Sequence, residues 1–200
     1  MSATKSHRPL RADARENREK LLRVASERFA AGGPDVPLEL IARQAGVGIG
    51  TLYRHFATRE ALIEAVYRNE VDQVCAAADT LLADRSPADA LAEWMTRFVG
   101  YAATKRGLSG ALKSIAASQA CLFASTRERL SEAIGKLLDA GIAAGEIRPD
   151  VTVDDVFTSM NAIWTIDGDG DEWAARALRV LGLLLDGLRF GAATSADRTG

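Results

Sequence analysis

From Asp13 to Phe190 the apolar residues recur at three- and four-residue intervals, and the alternating pattern of a half-buried strand is missing. Ala and Leu, both good helix formers, carry most of the repeat. This restricts the chain to an all-α fold of about nine helices, separated by breaks rich in Gly, Pro and Asp. A length of 200 residues is enough for one or two domains with a buried core.

The spacing predicts a first helix from Asp13 to Ala31, with Leu22, Ala25 and Phe29 on one face and Gly32-Gly33-Pro34 as the stop. A short second helix follows from Pro37 to Ala45, with Leu40 and Ile41 facing the core, and Gly46 breaks it. A third short helix covers Ile49 to Phe56. Thr58 then caps a long fourth helix whose apolar side is Leu62, Ile63, Val66 and Tyr67. After a break at Asp84, Ser86-Pro87 starts a helix to about Ala103, and Lys105 to Gly110 reads as a loop. Helices from Leu112 to Leu122 and from Ser125 to Ala144 come next. Thr152 with Asp155 three residues on is a capping-box pattern that opens a helix to Thr165. The loop IDGDGDE leads to the last helix, Trp173 to Phe190. The expected division is a flexible basic arm (1–12), an N-terminal helical domain (13–72), a helical body (73–190) and a frayed tail (191–200).

Residues 37–56, PLELIARQAGVGIGTLYRHF, carry the chemistry. Two short helices joined by a Gly-containing turn form a helix-turn-helix pattern, in which the first helix braces and the second lies in the DNA major groove. Ile41, Ala42, Val47, Leu52 and Phe56 are the positions that would hold the pair together. At ~100° per residue, Thr51, Arg54 and His55 share one side of the second helix and Leu52 and Phe56 the other. Tyr53 lies between, where its ring can pack while its hydroxyl reaches outward.

The stretch AGVGIGTLYRHFATREALIEAVY resembles the recognition-helix and fourth-helix signature of TetR-type transcriptional regulators, and RENREKLLRVASERFAAGG resembles their first helix. The resemblance is specific over residues 13–70 and architectural beyond. It implies a helix-turn-helix domain joined by a long helix to a C-terminal domain that binds a small-molecule effector and dimerises. The implied protein is a homodimeric repressor, less often an activator, released from a palindromic double-stranded DNA operator by an inducer. The resemblance also places Thr51, Tyr53 and His55 against the DNA backbone, with Thr51 at times reaching a base. Arg59 and Thr58 match phosphate-contacting positions.

The chain departs from the family's pattern where base-reading side chains often stand. Gly48 and Gly50 offer none, which favours close approach to DNA, and Ile49 suits a thymine methyl. Hydrogen-bonded readout then falls to Arg54, or to Arg43 and Gln44 at the end of the bracing helix. Lys5, Arg8 and Arg11 could enter a minor groove, and Arg15 and Arg18 are phosphate candidates.

Charge fits a one-ended polyanion binder. Residues 1–60 carry 11 basic and 7 acidic side chains, whereas residues 61–200 carry 14 and 20. The last helix, ALRVLGLLLDGLRF, has Leu181, Leu184, Leu185 and Leu188 in one stripe, widened by Val180, Leu183 and Gly187. A C-terminal helix so broadly apolar must be covered on two sides, which points to a dimer interface with Val156 and Met160 on its companion helix. Trp94, Phe98, Tyr101, Phe123, Met160 and Trp164 are candidates to line a pocket for an apolar or amphipathic effector.

Other chemistries are poorly supported. Two histidines, His7 and His55, do not make a His-based metal site. DGDGDE lacks the sixth-position Gly and twelfth-position Glu of a calcium loop, and GVGIGT has Thr51 where a dinucleotide fingerprint needs Gly. No catalytic motif or cofactor signature occurs. A helical ligand-binding module without DNA function is the alternative, and intact residues 51–59 argue against it. Two cysteines make no disulfide framework, no apolar run approaches membrane-spanning length, and the N-terminus has no signal-peptide core. These features lead to the expectation of a cytoplasmic protein.

Overall fold

A computed structural model describes the backbone of residues 8–118 and 121–190 and the side chains of residues 12–115 and 125–190. The described residues form nine α-helices and one 3-10 helix, with no strand: α1 (Arg8–Gly32), α2 (Leu38–Gln44), α3 (Ile49–His55), α4 (Arg59–Asp84), α5 (Pro87–Gly107), α6 (Ser109–Ser118), α7 (Cys121–Ala143), α8 (Val153–Met160), the 3-10 helix (Asn161–Thr165) and α9 (Gly170–Arg189). The helical reading of the sequence therefore holds, with shifted boundaries. Helix α1 begins at Arg8, inside the segment expected as a flexible arm. The loop expected over Lys105–Gly110 shrinks to Leu108, because that side chain is fully buried and the chain resumes helix at once. Most of the large core side chains, Tyr67 and Trp94 among them, lie inside helices.

The helices gather into two compact units that interleave along the chain. Of the described residues, the first holds 8–69 together with Thr104–Ala117. The second holds Glu70–Ala103 and the described residues from 118 to 190. Thr104–Ala117 thus belongs with the N-terminal helices, not with the rest of 73–190.

Packing in the first unit explains why that segment returns. Helix α1 packs against α2 and α3, and its Leu21, Leu22, Ala25 and Phe29 are buried. Against another side of α1, the Ser26 and Thr104 hydroxyls share a buried hydrogen bond of 3.0 Å. One turn on, Gly107 sits so close to α1 that a Cβ there would lie 2.1 Å from the Phe29 carbonyl oxygen. Glycine at 107 is a condition of that crossing.

In the second unit, Asp72 and Asp79 of α4 pair with Arg129 and Lys136 of α7 at 2.7 and 3.0 Å. The equal seven-residue spacing shows that the two helices run parallel here. The Trp94 indole donates to the Val74 carbonyl at 2.7 Å. Thr152 and Asp155 close the expected capping box at the start of α8. The Thr152 hydroxyl and amide hold the Asp155 carboxyl below the usual carboxylate range. At the far end of α7, Glu146 accepts the Ala88 amide and so caps α5 from another segment.

Replacing Gly107 with Ala tests the crossing. The added methyl meets backbone that cannot swing aside, and Gly107→Ala should lower the unfolding free energy by about 1–3 kcal/mol in urea titration. An unobstructed helical glycine would instead gain ~0.5–1 kcal/mol on the same change.

Candidate nucleic-acid interface

The turn between α2 and α3 is set by Gly46. Its φ of 71° lies in the left-handed region, and the Val47 amide closes the turn onto the Ala42 carbonyl at 3.0 Å. Leu38, Ile41, Ala42 and Ala45 of the α2 segment are buried. Leu38, not Leu40, is the second core contact of α2, since Leu40 is only half-buried. Leu52 and Phe56 anchor the other side of the turn, at 0% and 3% exposure. With those two inward, the helical repeat leaves the rest of α3 outward. Tyr53 is 48% exposed and Ile49 37%, Arg54 is exposed, and Thr51 and His55 are half-buried. Gly48 and Gly50 are exposed, and a Cβ on either would meet nothing within 4 Å.

The basic and polar candidates divide by what they touch. Arg54 lies back along α3, its Nη2 donating to Thr51 Oγ1 at 2.8 Å and its Nε to the Gly50 carbonyl at 3.3 Å. Arg43 and Gln44 are both exposed, but Gln44 accepts a hydrogen bond from Arg28 of α1 through Oε1, which leaves its amide NH2 for other partners. Arg18 of α1 stands over the Phe56 ring at 5.4 Å, and Arg15 pairs with Glu19 at 3.2 Å. The side chains of Lys5, Arg8 and Arg11 lie outside the described residues. Thr58 caps α4 as its sequence position predicts, its hydroxyl oxygen accepting the Ala61 amide at 3.1 Å.

Arg59, expected at a phosphate, also has partners within the chain. Its Nη1 donates to the carbonyls of Pro34 and Val36, both at 2.7 Å, and the side chain is half-buried. Through Nη1 it latches the start of α4 to the α1–α2 loop. The carbonyls of a Gly-Pro-rich loop have no helical partners, and a guanidinium satisfies two of them together.

The comparison with known proteins matches this arrangement at both ends of the chain. The profile of bacterial regulatory proteins of the tetR family matches residues 21–66, and that of the SbtR-like transcriptional regulator C-terminal domain matches residues 86–190. A TetR transcriptional regulator of Streptomyces coelicolor is 46% identical, with a TM-score of 0.78 over 86% of this chain and 98% of that one. The chain belongs to the TetR family of bacterial transcriptional regulators. A second TetR regulatory protein, from Mycobacterium vanbaalenii, is 38% identical with a TM-score of 0.73 over 90% and 99% of the two chains. A curated helix-turn-helix regulator of Staphylococcus aureus (strain USA300) is 36% identical over 64 residues, which is 32% of this chain and only 35% of that relative's length. The family and its solved members are regulators, not enzymes.

In this TetR-family chain the C-terminal candidates sort differently from their sequence reading. Val156, Met160, Leu181, Leu185 and Leu188 are buried within the chain itself, at 9% exposure or less. They form the inward face of α8 and α9 and are not a free dimer surface. The outward face of α9 holds Leu183 and the half-buried Val180 and Leu184, with Leu183 73% exposed, while Leu178, 40% exposed, lies on the opposite flank of the buried stripe. Sequence periodicity could not separate the two faces because α9 is apolar on both. Trp94, Phe98 and Tyr101 form a buried row along α5, with ring centroids 5.8 and 5.6 Å apart in succession. Met160 is buried, Trp164 is half-buried with its indole on Asn161 Oδ1 at 3.1 Å, and the Phe123 side chain lies outside the described residues. Among the described residues no cluster of His, Cys, Asp and Glu could hold a metal, and no helix is long and apolar enough to cross a membrane.

The Arg59 latch makes a prediction. Arg59→Ala should lower the unfolding free energy by about 1.5–3 kcal/mol, the usual worth of hydrogen bonds to a charged group. Denaturant unfolding measures it, and a change under ~0.5 kcal/mol, typical of an unconstrained surface site, would return Arg59 to the pool of free cations.

Proposed function

We propose that the protein is a sequence-specific DNA-binding repressor that acts as a homodimer and leaves a palindromic operator when a small-molecule inducer binds. The observation that carries this reading is the outward face of α3. Exposed Tyr53, Arg54 and Ile49 stand with half-buried Thr51 and His55 on a helix whose other side is locked into the core. Tyr53 and His55 suit phosphate and sugar contacts that set register, together with the Thr58 hydroxyl. Two such helices related by a two-fold axis would read half-sites about one DNA turn, ~34–36 Å, apart.

The outward face of α9 supports the dimer. Leu183, Leu184 and Val180 form an apolar strip that its own chain leaves partly open, and Phe190 at the end of the helix is 82% exposed. Gly187 is exposed with open space above it, which lets a symmetry-related helix approach closely. The aromatic row Trp94, Phe98 and Tyr101, with Met160 and Trp164, is the candidate wall for an apolar or amphipathic effector. Effector binding would favour a conformation in which the two α3 helices no longer match operator spacing.

Two measurements test the reading. Tyr53→Ala and His55→Ala should each weaken binding to DNA selected by the wild-type protein, by about tenfold, with little change in stability. If both bound that DNA with wild-type affinity across a salt series, α3 would not be the DNA-contacting helix. Leu183→Asp should convert the protein to a monomer in sedimentation or light scattering, and a persistent dimer would place the interface elsewhere.

A further inference from the structure

We propose that Thr51 and Arg54 form a preassembled reader of a guanine in the major groove, with Thr51 aiming Arg54 instead of binding phosphate. The proposal rests on the DNA-binding reading above and adds the identity of a base and of the group that reads it.

The argument begins with the edges of a guanidinium. The group is planar, and its N–H donors form two forks. One fork consists of Nε–H and the Nη2–H beside it. The other consists of the remaining Nη2–H and an Nη1–H. In Arg54 the first fork is spent on α3 itself, on the Gly50 carbonyl at 3.3 Å and on Thr51 Oγ1 at 2.8 Å. The second fork is thereby turned away from the helix, and no described carboxylate pairs with Arg54.

That remaining fork presents two parallel donors, and only one base edge in the major groove offers two adjacent acceptors. Guanine presents O6 and N7. Adenine sets an N6 amine beside its N7, cytosine offers a donor, and thymine offers a single O4 next to a methyl. A donor-only fork therefore selects guanine. Arg43 is exposed but nothing comparable orients it, while Gln44 has its acceptor oxygen engaged by Arg28.

Gly48 and Gly50 make room for the reader. Gly48 has a φ of −70°, and neither glycine would bring a Cβ within 4 Å of another group. Backbone conformation does not demand glycine at 48, and internal packing demands it at neither position. What their missing side chains provide is clearance on the outer surface, beside the guanidinium that bends back toward Gly50. Ile49, 37% exposed between them, can take up an adjacent thymine methyl. Holding the arginine in place before DNA arrives removes part of the ordering cost of binding.

The test uses the full chain and double-stranded DNA chosen by in vitro selection. The selected half-site should contain one G·C pair whose replacement by A·T lowers wild-type affinity about tenfold or more. Substituting 7-deazaguanine at that base removes N7 and should also weaken the wild-type protein, but should not affect Arg54→Ala. Thr51→Val keeps the side-chain shape and loses the hydroxyl. It should reduce the G-over-A preference at that pair while leaving the salt slope of binding unchanged, and Thr51→Ser should restore the preference. A selected site with no guanine that depends on Arg54 would overturn the proposal while leaving DNA binding intact. So would a Thr51→Val variant that binds all sequences more weakly with a salt slope reduced by about one unit, the mark of a lost phosphate contact. Failure of the wild-type protein to select any DNA would overturn both readings together.

Discussion

A seven-residue helix does not hold itself together in water, because nucleation costs more than so few hydrogen bonds return. Helix α3 exists because Leu52 and Phe56 are driven into the core formed with α1 and α2. Everything the interface can do depends on that anchoring. It decides which residues of TLYRHF face outward, and it holds them rigidly enough for Thr51 and Arg54 to keep a defined geometry. The Gly46 turn sets the direction in which α3 leaves α2, and the Arg59 latch fixes the loop on which α2 starts.

Much of this was legible in the sequence for a simple reason. Helical period, Gly stops and Ser/Thr caps are local signals, and here local and tertiary preferences agree. Thr152 could be assigned as a cap from Asp155 three residues on and Thr58 from its place before an apolar-periodic run, and Leu52 and Phe56 as core from their spacing. The partners of long polar side chains were not legible. Nothing in the residues around Arg59 announces that Pro34 and Val36 lie beside it, 25 and 23 positions earlier. The same holds for Arg28 with Gln44 and for Arg18 with Phe56.

Helix α9 failed to resolve for a different reason. A helix with leucines on both faces gives the same periodic signal whichever face turns inward, so Leu181 and Leu185 could not be told from Leu183 until the fold was known. The return of Thr104–Ala117 to the N-terminal helices was also hidden, since a close crossing at a glycine leaves no mark that distinguishes it from an ordinary helix end.

The partners of α1 bear on how the molecule would feel a polyanion at a distance. Each described basic side chain on that helix is already engaged: Arg15 with Glu19, Lys20 with Glu16, Arg23 with Glu27, Arg28 with Gln44, and Arg18 over an aromatic ring. Exposed pairs of this kind are weak and can exchange partners, but the three glutamates stay on the helix whichever partner its cations choose. Arg15, Lys20 and Arg23 with their glutamates therefore project the short-range field of dipoles, whereas Arg18 and Arg28, whose partners are neutral, keep their full charge toward a distant polyanion. Those two uncompensated charges can release counterions when the helix meets a nucleic acid, a contribution blind to sequence that leaves discrimination to the fit of α3.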